Sequence, residues 1–182
     1  MFKLLTVLAL VIFVGFVGNL SAQDAAQKTR DLVAALDKTK YKKKDKGNVS
    51  IEVFVDVKNE PAIKADPAEY SGRYETGEYQ LTLSVTRDGK ASGSGFDTLL
   101  NGDKTEPFEL KDARVAGALL TGIKVYSNGN RAPFEAVFVN RTSRRGTNPN
   151  SISDSSTKFG IGFIQTGGAD SDSTNRVFLE RR

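Results

Sequence analysis

Hydrophobic and polar positions alternate along most of this chain with a period of two. The clearest run is 49–57, VSIEVFVDV, in which Val49, Ile51, Val53, Val55 and Val57 take one face and Ser50, Glu52, Phe54 and Asp56 the other. Further short strands are predicted at 72–75, at 79–85 (Tyr79, Leu81, Leu83 and Val85 alternating with polar residues) and at 90–96, where glycines suggest bends or bulges. Segments 107–111 and 114–126 are expected to pair across Asp112-Ala113. Asp88-Gly89 and Ser127-Asn128-Gly129-Asn130 are hairpin signals. Strands at 132–140, 159–165 and 175–180 complete the set, with a long polar loop expected over 142–158 and a shorter one before the last strand.

The N-terminus breaks this pattern. Lys3 precedes an apolar run from Leu4 to Val17, relieved only by Thr6 and Gly15, and the small residues Ser21 and Ala22 lead into Gln23-Asp24. That is the plan of a secretory signal peptide cleaved after Ala22, which predicts a secreted or periplasmic protein with no stable membrane span after processing. A retained anchor is the alternative, since Leu4 to Leu20 reaches the lower limit for crossing a bilayer. Asp24 with Gln27 has capping-box spacing and predicts a helix over 25–41, its narrow apolar stripe of Ala25, Leu32, Val33 and Leu36 lying on a surface.

Eight to nine short antiparallel strands joined by hairpins predict a mainly β fold, an up-and-down barrel or curled sheet, with a sandwich as the alternative. The expected organisation is a signal peptide (1–22), a segment of helix, lysine-rich stretch and one strand (23–65), and a barrel domain (66–182). The phrase DPAEYSGRYE at 66–75 resembles the opening of lipocalin-like (calycin-type) small β-barrel domains, where glycine, any residue and an aromatic begin the first barrel strand. Tyr74 stands where true lipocalins usually carry tryptophan. The resemblance implies an interior able to enclose a small apolar ligand. It carries over only the structural positions Gly72 and Tyr74.

Composition narrows the chemistry. The chain has no cysteine and no histidine, so no disulfide staples it and no Ser-His-Asp, Cys-His, ordinary zinc or His/Cys-ligated haem apparatus can form. Residues 38–46 hold six lysines against Asp45, net +5 in a chain whose total is +4. The basicity is therefore local. Nucleic-acid surfaces spread their cations over a face with stacking aromatics, and here one short cluster contains only Tyr41, so no nucleic-acid partner is expected. Lys38–Lys46 reads as a solvated helix end and linker, or as a contact for an anionic surface such as lipid headgroups or acidic polysaccharide.

Other chemical signals are weak. Asp170-Ser171-Asp172 fails EF-hand spacing after two ligands. Glu69, Glu75, Glu78, Glu106, Glu109 and Glu135 could supply paired carboxylates for a hydrolase, yet nothing in the sequence pairs them. Ser92 to Gly95 lacks the histidine a nucleophile elbow needs. Asn48 and Asn140 head glycosylation sequons. No catalytic residue, metal site or cofactor is therefore expected. The leading expectation is a secreted non-catalytic barrel binding a small apolar ligand, lined by Phe134, Phe138, Tyr126 and Phe163, or an envelope partner. Its alternative is a structural or interaction module of the cell envelope with a filled barrel; a carboxylate-based hydrolase comes last.

Overall fold

The structure is a computed structural model that describes residues 21–46, 49–98, 105–166 and 174–182; of 41–46, 49–52 and the strand ends 98, 105, 166 and 174 it describes the backbone alone. The elements run α1 (Ala22–Leu36), β1 (Lys38–Lys46), β2 (Val49–Pro61), a 3-10 turn (Pro67–Tyr70), β3 (Gly72–Glu75), β4 (Tyr79–Val85), β5 (Lys90–Thr98), β6 (Thr105–Ala116), β7 (Leu119–Tyr126), β8 (Arg131–Asn148), β9 (Ser151–Thr166) and β10 (Thr174–Arg181). Strands β3 to β8 pair with their sequence neighbours, β10 pairs with β3, and the pairing of β9 with both β10 and β8 closes an eight-stranded antiparallel barrel. The mainly β, closed up-and-down reading of the sequence is the fold.

Alternation decides what fills it. Leu81, Leu83, Leu110, Leu120, Ala136, Ile161, Val177 and Leu179 point inward and are buried. The 3-10 turn plugs one end, the base, where Tyr70 stacks on Phe138 with ring centroids 4.0 Å apart. The Tyr70 hydroxyl accepts from the Lys64 amide at 2.8 Å and donates to the Ala62 carbonyl at 2.7 Å. Arg181, at the end of the last strand, donates to the carbonyls of Glu69 and Ser71 at 3.0 and 2.9 Å and so ties barrel closure to the plug. Gly72 leaves room for this clamp, since a Cβ there would lie 3.0 Å from Arg181 Nε.

Helix α1 packs on the outside of β7, β8 and β9. Leu36 is buried above Gly162, where a Cβ would come within 2.4 Å of its Cδ1, and Leu119 and Val137 occupy the matching register positions on β7 and β8. Four sequence expectations need correction. The helix stops at Leu36, because Asp37 takes an extended conformation and its carboxylate accepts the Asn59 amide at 2.7 Å. Lys38–Lys46 is then strand β1, paired with β2 from Lys38↔Val57 to Lys46↔Val49, rather than a helix end and linker. Residues 142–158 are the paired ends of β8 and β9 rather than a loop. Both faces of that hairpin are polar, so no period-two apolar signal marks it. Asp112-Ala113 is a bulge within β6, with Asp112 at φ 49°, and the real turn is at Gly117, φ 61°.

The ends of β8 and β9 leave the barrel at its base. From Val139 onward β8 exchanges β7 for β2 as its neighbour, and β1 completes a four-stranded arm in the order β1-β2-β8-β9. Val139 to Asn148 gives a reach of about 30 Å at about 3.3 Å per residue.

Candidate functional site

Two places in the fold gather chemistry: the barrel's other end, its rim, and the projecting arm. At the rim the inward row of β7 ends in Gly122, Lys124 and Tyr126, and that of β5 ends in Asp97. Lys124 Nζ donates to both Asp97 oxygens, at 2.9 and 2.8 Å, and the Tyr126 hydroxyl donates to Asp97 Oδ2 at 2.8 Å. The Lys124 ammonium also sits over three phenyl rings, 4.5 Å from the centroid of Phe108, 4.7 Å from Phe134 and 5.2 Å from Phe163. Both charged side chains are only 9% exposed. A cation held by a carboxylate and ring faces is electrostatically satisfied without water. Burial nevertheless pushes the Lys124 ammonium below its ordinary range, with Asp97 opposing that shift. Burial, and the Asp97 charge after it, pushes the Tyr126 phenol well above its ordinary range. Beside this cluster the Tyr79 hydroxyl donates to Gln165 Oε1 at 2.6 Å, and its ring meets Phe163 edge-on.

The four aromatics singled out from sequence divide between the two ends. Phe134, Phe163 and Tyr126 come together around the Asp97–Lys124 pair at the rim. Phe138 lies at the base, fully buried between Tyr70 and Phe159. Sequence reasoning missed Asp97, Lys124, Tyr79 and Gln165. The available signal was a charged residue at an inward step of the alternation, Leu120, Gly122, Lys124, Tyr126. A cleft of about 600 Å³ adjoins the rim, bordered by Phe96, Phe108, Val125 and Tyr126.

The carboxylates weighed for hydrolysis are engaged in ion pairs or hydrogen bonds: Glu75 with Arg73 and Arg182, Glu109 with Lys111, Glu135 with Lys28, Glu69 with Lys64, and Glu106 with Asn128. Glu78 also has a partner. Ser92–Gly95 lies within β5. Asn140 is exposed in β8, while Asn48 and Asp170–Asp172 fall outside the described residues.

The arm carries the charge. Lys40 on β1 and the adjacent Arg144 and Arg145 on β8 are exposed, and among the described residues no carboxylate pairs with either arginine. In register, Lys40 stands opposite Val55, Val55 opposite Arg145, and Arg145 opposite Asp154. Side chains 151–158 are all exposed, and Ile152, near the arm's tip, is 42% exposed. Further in, Phe54 and Val57 on β2 are buried within this sheet. The Thr142 and Thr157 hydroxyls bond across it at 2.9 Å.

No protein-family model, no curated protein and no solved structure matches this chain. No helix among the described residues is long and apolar enough to cross a membrane.

Proposed function

We propose that this is a non-catalytic, exported β-barrel that works at an anionic lipid surface through its basic arm. The single observation that carries the reading is the pair Arg144 and Arg145, exposed and without a carboxylate partner among the described residues. They stand on a projecting sheet whose outer strand is Lys38–Lys46. A basic residue near an anionic membrane contributes about 1 kcal/mol, so a cluster of this size binds without any cavity. Ile152 near the tip favours lipid over polysaccharide, because an exposed aliphatic side chain gains from entering the headgroup boundary. The packed interior supports the same reading, since Phe138, Leu120, Ala136 and Tyr74 are fully buried against neighbours. The closed up-and-down topology, with Gly72 and Tyr74 opening its first strand, supports a lipocalin-like origin for the barrel. Export to a secreted or periplasmic location rests on the leader pattern at 1–22.

Co-sedimentation with vesicles tests this. The chain should pellet with phosphatidylglycerol vesicles and stay in solution with phosphatidylcholine. Combining Lys40→Gln, Arg144→Gln and Arg145→Gln should weaken binding more than about tenfold. Equal binding to both vesicles, or no loss in the variant, would remove the reading.

One observation favours a second reading, a small-molecule site at the rim: Phe134, Phe163 and Tyr126 converge there beside the cleft bordered by Phe96. Its ligand would carry a polar group toward Asp97 and Lys124. An apolar fluorescent probe whose binding is altered by Lys124→Met would favour it.

A further inference from the structure

We infer that the root of the arm holds a phosphate group, with Arg141 as its principal receptor. The inference deepens the lipid-surface reading by naming the chemical group held, and it rests on a different part of the arm.

A cleft of about 390 Å³ opens where β8 and β9 leave the barrel, bounded by Arg141, Ser143, Ser156, Lys158, Phe178 and Arg182. The cross-strand register sets two pairs into it, Arg141 opposite Lys158 and Ser143 opposite Ser156. Like charges directly opposite in an antiparallel pair destabilise it unless something of opposite sign lies between or beside them. Two carboxylates are at hand, and both are committed. Glu180 accepts from Lys158 Nζ at 2.6 Å. Glu75 accepts from Arg73 at 2.8 Å and from Arg182 at 2.9 Å, and those two guanidiniums hold its carboxyl below the usual carboxylate range.

Arg141 is left over. Its guanidinium lies over the Phe178 ring, 4.9 Å from the centroid, and no carboxylate among the described residues pairs with it. Burial pushes the Arg141 pKa below the usual guanidinium range. Three cations line the cleft, Arg141, Lys158 and Arg182, against the two carboxylates Glu75 and Glu180, leaving one positive charge in excess. The Phe178 ring face holds the guanidinium 4.9 Å from its centroid, and a planar guanidinium fork matches the paired oxygens of phosphate. Ser143 and Ser156 also line the cleft, and their hydroxyls supply neutral donors for the oxygens of a tetrahedral oxyanion that one fork cannot serve. A carboxylate would use the fork alone. The combination favours phosphate, from a lipid headgroup or a soluble phosphomonoester.

Titration of the intact chain with inorganic phosphate at constant ionic strength, followed by thermal unfolding and calorimetry, tests the site. Saturable binding in the millimolar range is expected, raising the midpoint as ligand occupies the folded state. Arg141→Gln should weaken it by at least about tenfold, the usual loss of a charged hydrogen-bonded pair, and Arg141→Lys by less. Arg131→Gln, at the far end of β8 from the cleft, should leave it unchanged. Should Arg141→Gln lower the midpoint severely, Ser143→Ala with Ser156→Ala provides the second test, with weakened phosphate binding expected in a folded protein. The same variants on phosphatidic acid vesicles identify the source. Loss of vesicle binding in Arg141→Gln points to a headgroup, and its retention with loss of free phosphate points to a soluble ligand. No saturable phosphate binding, or equal affinity in Arg141→Gln, overturns the proposal. Vesicle binding that still depends on Arg144 and Arg145 would then leave the lipid-surface reading standing.

Discussion

Lys124 and Asp97 form an ion pair inside the barrel rim, with the ammonium bonded to both carboxylate oxygens at 2.9 and 2.8 Å and each side chain only 9% exposed. Taking two charges out of water is costly, and the attraction between them offsets the cost only while both are present. Asp97→Ala or Lys124→Ala alone should therefore cost about 3–5 kcal/mol, because each strands its partner. Replacing the two together, Asp97→Leu with Lys124→Met, should recover most of that loss. Urea unfolding of the wild type, Asp97→Leu, Lys124→Met and the combined variant completes the double-mutant cycle.

Phe138 gives a second test of how the interior is built. It is fully buried and stacked on Tyr70 at 4.0 Å, so Phe138→Ala should cost about 3–5 kcal/mol, the usual range for a large aromatic removed from a packed core. A cost below about 1 kcal/mol, with new binding of apolar probes, would mean that the base is looser than its contacts imply.

The outer helix is anchored at its end. Leu36→Ala should cost about 2–4 kcal/mol, since Leu36 is buried against the barrel wall at Gly162. Gly162→Ala should also loosen the helix, because the added methyl would sit 2.4 Å from Leu36 Cδ1. Hydrogen exchange across residues 22–36 should then rise while β4 and β7 keep their protection.

The fold should fail at alkaline pH. Tyr70, Tyr74, Tyr79 and Tyr126 are all pushed above their ordinary value of 10.0, with burial the main cause in each. Folding keeps these protons on, so the stability they carry is complete below about pH 10 and is lost as pH climbs through their raised folded values. Lys124 works in the other direction, since its lowered value means that the cost of burying its charge is relieved as pH rises toward 10.5. Four phenols outweigh one amine. Absorbance at 295 nm should show these phenols ionising together with loss of the β signal, rather than titrating independently near pH 10.

Much of this architecture was readable from residue order, and the failures share a cause. Tyr79, Leu81, Leu83 and Val85 announce β4 because one face is buried and the other wet. The turns around Gly89 and Gly129 are legible because both glycines adopt positive φ. By contrast, Lys38–Lys46 is a strand because it pairs with β2, which begins at Val49, and its run of lysines gave no apolar alternation to mark it. Residues 142–158 are polar on both faces, so alternation carries no signal there, and Asp112 looked like a turn because a left-handed aspartate serves bulges equally well. At the rim, the inward direction of Phe134, Tyr126 and Phe163 followed from alternation. The Asp97–Lys124 pair did not, since it joins positions far apart on β5 and β7 whose charge complementarity appears only once the barrel closes.

The central claim, that the arm rather than the barrel interior is the working surface, is tested most directly by amide hydrogen exchange of the chain with and without phosphatidylglycerol vesicles. The account predicts slowed exchange confined to the arm, β1 with residues 142–158, and greatest around Arg144, Arg145 and Ile152. The amides around Asp97, Lys124 and Tyr126 should be unchanged. Protection at the rim with none along the arm, or no protection anywhere at saturating vesicle, would contradict it.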